Sequence, residues 1–164
     1  MNGDLLHLKQ GILLDVGCGK SRRKGFVGMD KRKDVDPDIL HDLEVFPYPI
    51  DDESCLTIVA SHVVEHIKPW LMLDFMNELW RIAKEGANLA ISMPYGYSDG
   101  FLQDPTHCNA CNHSTWLYFD PRFELYKIYE PNPWRIEDGF PQWQQNGNME
   151  VILSKLRKAI TKES

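Results

Sequence analysis

No run of apolar residues in this sequence approaches the ~20 that a membrane-spanning helix needs. The opening stretch, MNGDLLHLKQG, lacks the basic flank and long apolar core of a secretion signal. The expectation is a cytoplasmic protein with no membrane partner. Internal repeats, low-complexity tracts and dividing linkers are also missing, so residues 1–164 are read as one domain with length enough to bury a sizeable core. Cysteine is scarce, with Cys18 and Cys55 isolated and Cys108 and Cys111 in a C-x-x-C; a cytosolic setting favours free thiols. Positive charge is in deficit as well. Lys and Arg number 18 against 24 Asp and Glu, a formal charge of -6, and such a chain as a whole repels nucleic acid and anionic lipid. Two basic clusters, Arg22-Arg23-Lys24 and Lys31-Arg32-Lys33, run against this balance and are read first as solvated surface.

What is present is a succession of strand signals. Gly11–Val16 is a short apolar run that stops at a glycine-rich turn, as a buried parallel strand would. Phe26–Asp30 and Ile39–Asp42 are weaker runs, and Leu56–Ser61 is apolar and β-branched on both faces. Leu71, Phe75, Leu79 and Ile82 recur at helical spacing and predict a helix over Trp70–Lys84, with Pro69 in its first turn and Gly86 at its stop. Ala87–Met93 is a fifth strand closed by Pro94. Residues 94–121, rich in Pro, Gly, Asp, His and aromatics, suit a functional loop. Within and beyond it the pattern predicts a short helix over Ser114–Phe119 with Ser114 as N-cap, and late strands at Phe123–Glu130 and Met149–Lys155. This order calls for an α/β fold, a mostly parallel sheet covered by helices, whose ligands bind beyond the carboxyl ends of the strands.

The polar residues gather at those predicted ends. In Leu14-Asp15-Val16-Gly17-Cys18-Gly19-Lys20-Ser21, two glycines one residue apart let the backbone turn tightly and approach a ligand closely. Asp30 ends the next strand, where a carboxylate can accept both hydroxyls of a ribose; a capping role in the loop is its other reading. Asp42 stands at the third strand end, suited to an amino group or to an Asx turn.

These residues together resemble the class I S-adenosylmethionine (SAM)-dependent methyltransferases. The resemblance runs over roughly residues 11–94, through LLDVGCG, GMDK, HDLEVFPYPIDDESCLTIVASHVVEHI and FMNELWRIAKEGANLAISMP. It is similar more narrowly to a compact subgroup carrying D-P-T-H after the fifth strand, here Asp104-Pro105-Thr106-His107. The resemblance implies a Rossmann-like methyltransferase sheet with SAM as cofactor. It implies that Gly17, Cys18 and Gly19 pass under the methionine portion and that Asp15 contacts its ammonium. Asp30, with Lys31 beside it, would hold the ribose; Asp42 and the Leu43 backbone would hold the adenine; Ser61 and His62 would close the pocket. Ser21 stands where the family has a third glycine, and residues 17–25 leave room for no more than a turn of helix between the first two strands. That shortened crossover exposes the cofactor's flank, and it counts against a nicotinamide dehydrogenase, whose ribose acid lies ~20 residues beyond its glycine turn.

Methyl transfer from a sulfonium chiefly needs an acceptor held in line, and a base only where the acceptor is a hydroxyl or ammonium. His107 and His62 are the candidate catalytic residues, with Asp104 placed to orient His107 or an acceptor hydroxyl. Glu65-His66 is read as the opening of a helix with a local structural role. The run His107-Cys108-Asn109-Ala110-Cys111-Asn112-His113 invites zinc, but one seven-residue loop hardly wraps four ligands tetrahedrally, and no metal is assigned. Tyr95, Tyr97, Phe101, Trp116, Tyr118 and Phe119 form either a cap on the core or an aromatic acceptor pocket, with Trp134 and Trp143 as a further wall. The leading expectation is methyl transfer to a small-molecule or glycan-type acceptor. The alternatives are a non-catalytic cofactor- or partner-binding module on the same fold, and a nucleic-acid methyltransferase gripping its substrate through the basic clusters.

Overall fold

The computed structural model describes residues 11–158. The expected tail from Leu156 onward and the first ten residues therefore lie partly or wholly outside the described part. Five strands, β1 (Ile12–Val16), β2 (Val27–Asp30), β3 (Ile39–Leu40), β4 (Cys55–Ser61) and β5 (Ala83–Pro94), pair in parallel. Three more, β6 (Trp134–Ile136), β7 (Gln142–Trp143) and β8 (Asn148–Lys155), join with β8 antiparallel to β5, β6 and β7. The sheet order is β3-β2-β1-β4-β5-β8-β6, with β7 beside β8. This is the mostly parallel α/β sheet that the sequence predicts. Strand order reverses between β1 and β4, and that reversal opens a crevice at the carboxyl ends.

The central strands are buried because their sequences are apolar on both faces. Leu14, Val16, Met29, Ile58, Ala60, Leu89 and Ile91 are all sealed from solvent. One long helix, α1 (Met72–Ile82), covers the sheet through Met72, Phe75, Met76, Leu79 and Ile82. It starts two residues later than the pattern predicts, after a 3-10 turn at Pro69–Leu71. It does not stop at Gly86. The chain enters β5 at Ala83, and Gly86 (φ 72°) instead serves a register shift in which Ala83 pairs with Cys55 and Asn88 with Thr57. The helix end is held from outside: Lys155 Nζ donates to the Ala83 carbonyl at 2.7 Å and lies 4.0 Å over the Trp80 ring.

The late chain differs most from expectation. Phe123–Glu130 is not a strand but carries a 3-10 segment, Glu124–Ile128, with none of its residues buried. A strand there would have had no apolar face to cover. The sheet edge is taken by Trp134–Ile136, where Trp134 and Ile136 are buried and Arg135 points outward. The short helix near residue 114 is a 3-10 segment, His113–Tyr118, capped by Asn112 and not by Ser114; Asn112 and Thr115 form a reciprocal capping box.

Asp120 anchors this region. Its fully buried carboxylate accepts from the backbone N–H of Arg122 (3.0 Å) and of Ile136 (2.8 Å), and pairs with the Arg122 guanidinium at 2.6 Å. Burial pushes its pKa up, but the Arg122 and backbone hydrogen bonds outweigh burial and hold it below the ordinary carboxylate value. A carboxyl depressed in the folded state stabilises above its unfolded pKa and loses that contribution as pH falls through the folded value. Asp120→Asn is therefore expected to cost at least ~1.5–3 kcal/mol at neutral pH, the worth of one charged hydrogen bond. The gap to the parent protein should narrow below pH ~4. Urea unfolding at both pH values checks this.

Candidate functional site

The crevice at the strand reversal holds a cavity of about 460 Å³, within the ~300–1,000 Å³ typical of small-molecule sites. Its walls come from the carboxyl ends of the first four strands, Gly17 after β1, Asp30 and Lys31 at β2, Asp42 and Leu43 after β3, and His62 after β4, and not from the end of β5 at Pro94. Val63, His66, Ile67 and Thr106 complete the wall beside His62, and Arg32 and Glu44 the opposite rim.

Gly17 shapes the floor. Its φ of 64° is a left-handed conformation, and a Cβ placed there would meet Val63 Cγ2 at 2.4 Å. Its N–H donates to the Met29 carbonyl at 2.7 Å, which ties the turn to β2. Asp30 is nearly buried, and its two oxygens accept one backbone N–H each, from Gly19 and from Arg32, both at 2.9 Å. A carboxylate has roughly four acceptor positions, so Oδ2 keeps one for a ligand, while Arg32 Nε approaches the second position on Oδ1 at 3.5 Å. The single 3-10 turn Gly19–Ser21 is all the regular structure between β1 and β2, as the short crossover predicts.

Asp15, Cys18, Gly19 and Ser61 do not line the cavity. The Asp15 carboxylate accepts the Arg23 N–H at 3.1 Å and so pins the loop from beneath. Cys18 is buried with its sulfur 2.8 Å from where a side chain on Gly28 would begin; burial first, then Asp30 and Asp15, push its thiol pKa up. Gly19 contributes its N–H to Asp30, not to the cavity. Asp42 forms the Asx turn, accepting from Glu44 N–H at 3.1 Å, while its other oxygen lies 4.0 Å from Lys31 Nζ on the cavity rim. The Asx turn is thus present, and Asp42 lines the cavity as well.

His62 takes a left-handed backbone conformation (φ 56°) that is costly for a residue with a Cβ. Its N–H bonds the Ser92 carbonyl at 2.8 Å, and Nδ1 meets Glu65 Oε1 at 3.1 Å. The Glu65 hydrogen bond raises the His62 pKa, against burial, which lowers it. The His62 side chain is half exposed on the cavity wall while Glu65 is fully buried behind it. His107 behaves differently. Its ring is almost wholly buried, Nδ1 bonds the Phe101 carbonyl at 2.9 Å, and Nε2 lies 3.7 Å from Asp104. Neither His107 nor Asp104 lines the cavity. Asp104 holds the Thr106 backbone N–H at 2.8 Å and its hydroxyl at 2.7 Å, so it builds the turn that brings Thr106 to the wall.

The aromatic acceptor pocket does not form at this cavity, whose lining contains none of the loop aromatics. Trp116, Phe119 and Trp134 are core residues, and Tyr97 and Trp143 are exposed. The two cysteines of the C-x-x-C part company: Cys108 is exposed, whereas Cys111 is fully buried with its thiol pushed up to about 12, first by burial and then by Glu65. Three of the six clustered basic residues are engaged with acids, Arg22 with Asp38 at 2.6 Å, Arg32 with Asp30 at 3.5 Å and Lys31 with Asp42. Read from sequence, Glu65-His66 has a local structural role and Thr106 none of its own, so that reading does not place His66, Thr106 or the buried Glu65 at the site. The signal available was only the adjacency of Glu65 and His66 just past a strand end.

No family model matches the chain, and no curated protein matches it in sequence. Solved structures do match in shape. A SAM-dependent methyltransferase from Archaeoglobus fulgidus superposes with a TM-score of 0.64 at 16% identity, covering 90% of this chain and 88% of that one. The YcgJ protein from Bacillus subtilis gives a TM-score of 0.61 at 12% identity, over 92% of this chain and 94% of that one. A variant of the 16S rRNA (adenine(1408)-N(1))-methyltransferase from Catenulisporales acidiphilia gives 0.60 at 13% identity, over 97% of this chain and 95% of that one. The fold is that of the SAM-dependent methyltransferases. Among the described residues, no helix is long and apolar enough to cross a membrane.

Proposed function

We propose that this chain is a methyltransferase that binds SAM in the crevice cavity and methylates a small-molecule or glycan-type acceptor. The observation that carries this reading is the sharing of one cavity by Gly17, Asp30 and Asp42, three positions at three successive strand ends. Asp30 has an acceptor position free on Oδ2 for a ribose hydroxyl, and a second on Oδ1 if the exposed Arg32 guanidinium, 3.5 Å away, yields it to the diol. Asp42 and Leu43 would flank the adenine, and Gly17 leaves the floor bare where a side chain would intrude. When bound, SAM supplies an electrophilic methyl group on its sulfonium.

The chain's own residues then have two tasks. The wall of Val63, His66, Ile67 and Thr106 holds an acceptor, and such positioning is worth up to ~7–11 kcal/mol. His62 has its Nδ1 fixed by Glu65, which directs Nε2 to take a proton from a hydroxyl or amine acceptor. The buried His107, whose Nδ1 is committed to the Phe101 carbonyl and which lies off the cavity lining, is better suited to holding the 101–107 loop. The net charge of -6 and the pairing of Arg22, Lys31 and Arg32 argue against a nucleic-acid acceptor.

Calorimetric titration with S-adenosylhomocysteine (SAH) and SAM is expected to give one site per chain. Methyl-labelled SAM offered with panels of sugars, small metabolites and RNA is expected to label the first two classes. No binding of either cofactor form at millimolar concentration ends the proposal. Binding without any labelling favours a non-catalytic module, and salt-sensitive labelling of RNA moves the acceptor to nucleic acid.

A further inference from the structure

Glu65 is a fully buried carboxylate only half accounted for. Oε1 faces His62 Nδ1, but Oε2 is buried with no hydrogen-bond partner. A buried oxygen is costly to leave dry and unpaired, so a native structure normally supplies it a partner. A carboxylate oxygen of Glu65 and ring nitrogens of His66 and His107 all lie within 4.8 Å of one another.

The surrounding hydrogen bonds fix which way the two rings face. Thr106 Oγ1 gives its proton to Asp104 Oδ1 at 2.7 Å, so toward His66 Nδ1, 3.2 Å away, it can only accept. His66 therefore carries its proton on Nδ1 and a lone pair on Nε2. His107 Nδ1 faces the Phe101 carbonyl at 2.9 Å and must donate, which leaves Nε2 as its ligating nitrogen, with Asp104 Oδ2 3.7 Å away on the same side. A histidine that donates one ring N–H to a carbonyl or oxygen and offers the other nitrogen is the usual arrangement of a metal ligand. The ring centroids are 4.7 Å apart and edge-on, and His107 is held on the far side by Phe101 at 5.4 Å.

We propose that Glu65, His66 and His107 bind one divalent transition-metal ion beside the cavity. Two imidazoles and one carboxylate select zinc, cobalt, manganese or ferrous iron over magnesium or calcium, which prefer all-oxygen shells. Donors around such an ion at ~2.0–2.2 Å sit roughly 3.0–3.5 Å apart, so the three groups have to close in modestly from their present spacing. This triad differs from the His107–His113 run, whose cysteines face different surroundings. Because His66 lines the cavity, an ion held there would border it and could take an acceptor hydroxyl or carboxylate oxygen. That last role rests on the methyl-transfer reading; ion binding does not.

Cobalt(II) titrated into the full chain, followed by visible absorption, with zinc calorimetry alongside, tests the site. The expected result is one equivalent bound, with affinity falling more than ~100-fold in His66→Ala and in His107→Ala and unchanged in Cys108→Ser. His66 is exposed, so its variant keeps the fold even if Glu65→Gln does not, and thermal melts verify this. Absence of saturable binding overturns the proposal. So does binding that survives both histidine variants, or that shows a thiolate-to-cobalt band lost in Cys108→Ser. SAH titration separates the two ideas: ion binding without SAH binding defeats the methyl-transfer reading alone, and the reverse defeats the metal site alone.

Discussion

Asp30→Ala is expected to weaken SAH binding by at least ~100-fold, the largest single effect on the cofactor. The carboxylate is nearly buried on the cavity wall, so each hydrogen bond it accepts from a ribose hydroxyl is charge-assisted and worth ~1.5–3 kcal/mol. Two such bonds convert to roughly two to four decades in Kd. Removing the side chain also frees the N–H groups of Gly19 and Arg32, so the loop loses its anchor in the same step. Asp30→Asn separates the contributions: it keeps an acceptor oxygen for the diol but places an amide donor against one of those N–H groups. Its affinity should fall between wild type and the alanine variant. Calorimetry with a melt on each protein distinguishes lost contacts from lost fold. Unchanged affinity in Asp30→Ala would remove the ribose contact from the account.

Gly17→Ala is expected to lower stability by about 2–5 kcal/mol and to abolish cofactor binding. Part of the cost is conformational, since an L-residue in the left-handed region loses ~1–2 kcal/mol. The rest is steric, because the new Cβ lies 2.4 Å from Val63 Cγ2 in a packed wall, and overpacking of that kind costs ~1–3 kcal/mol. The two parts can be told apart. Val63→Ala deletes the clashing methyl, so in the Gly17→Ala background it should restore the steric part and leave the backbone part. A double-mutant cycle then gives a favourable coupling of ~1–3 kcal/mol. Thermal or urea unfolding of the four proteins measures it, and a coupling near zero would mean the turn relaxes away from Val63.

The parallel half of the sheet was legible because its strands are buried on both faces. Ile12–Val16 and Cys55–Ser61 are apolar runs too short for helices and bounded by turn residues. The glycine turn and the acids at 30 and 42 were legible for the same reason: strand ends announce themselves, and whatever follows lies at one rim. The late chain was not. β6 is three residues long, too short to reveal alternation, and FELYKIYE mimics a strand although none of Glu124–Ile128 is buried. The helix stop at Gly86 was misread because the cap comes from Lys155, a partner the local pattern cannot supply.

The site divides along the same line. Positions that touch the cavity through backbone shape, such as Gly17, are local in sequence. Those whose role comes from contacts across the chain are not. The Glu65 carbonyl accepts from the N–H groups of Cys108 and Asn109, at 2.8 and 3.1 Å, which packs the residue 108–109 segment onto the turn after β4. That docking buries Glu65, brings Thr106 to His66 and takes His107 off the cavity wall. Asp15 and Cys18 stand next to the glycines in sequence yet serve the loop and the core, because the turn at Gly17 redirects the chain away from them.

The adenosyl-binding reading is tested most directly by a crystal structure of the protein with SAH. The ribose is expected on Asp30, the adenine between Asp42 and Leu43, and the sulfur pointing toward His62, with Gly17 beneath the amino-acid portion. Density for SAH elsewhere on the molecule, or a crevice that stays closed to it at saturating concentration, would contradict the account.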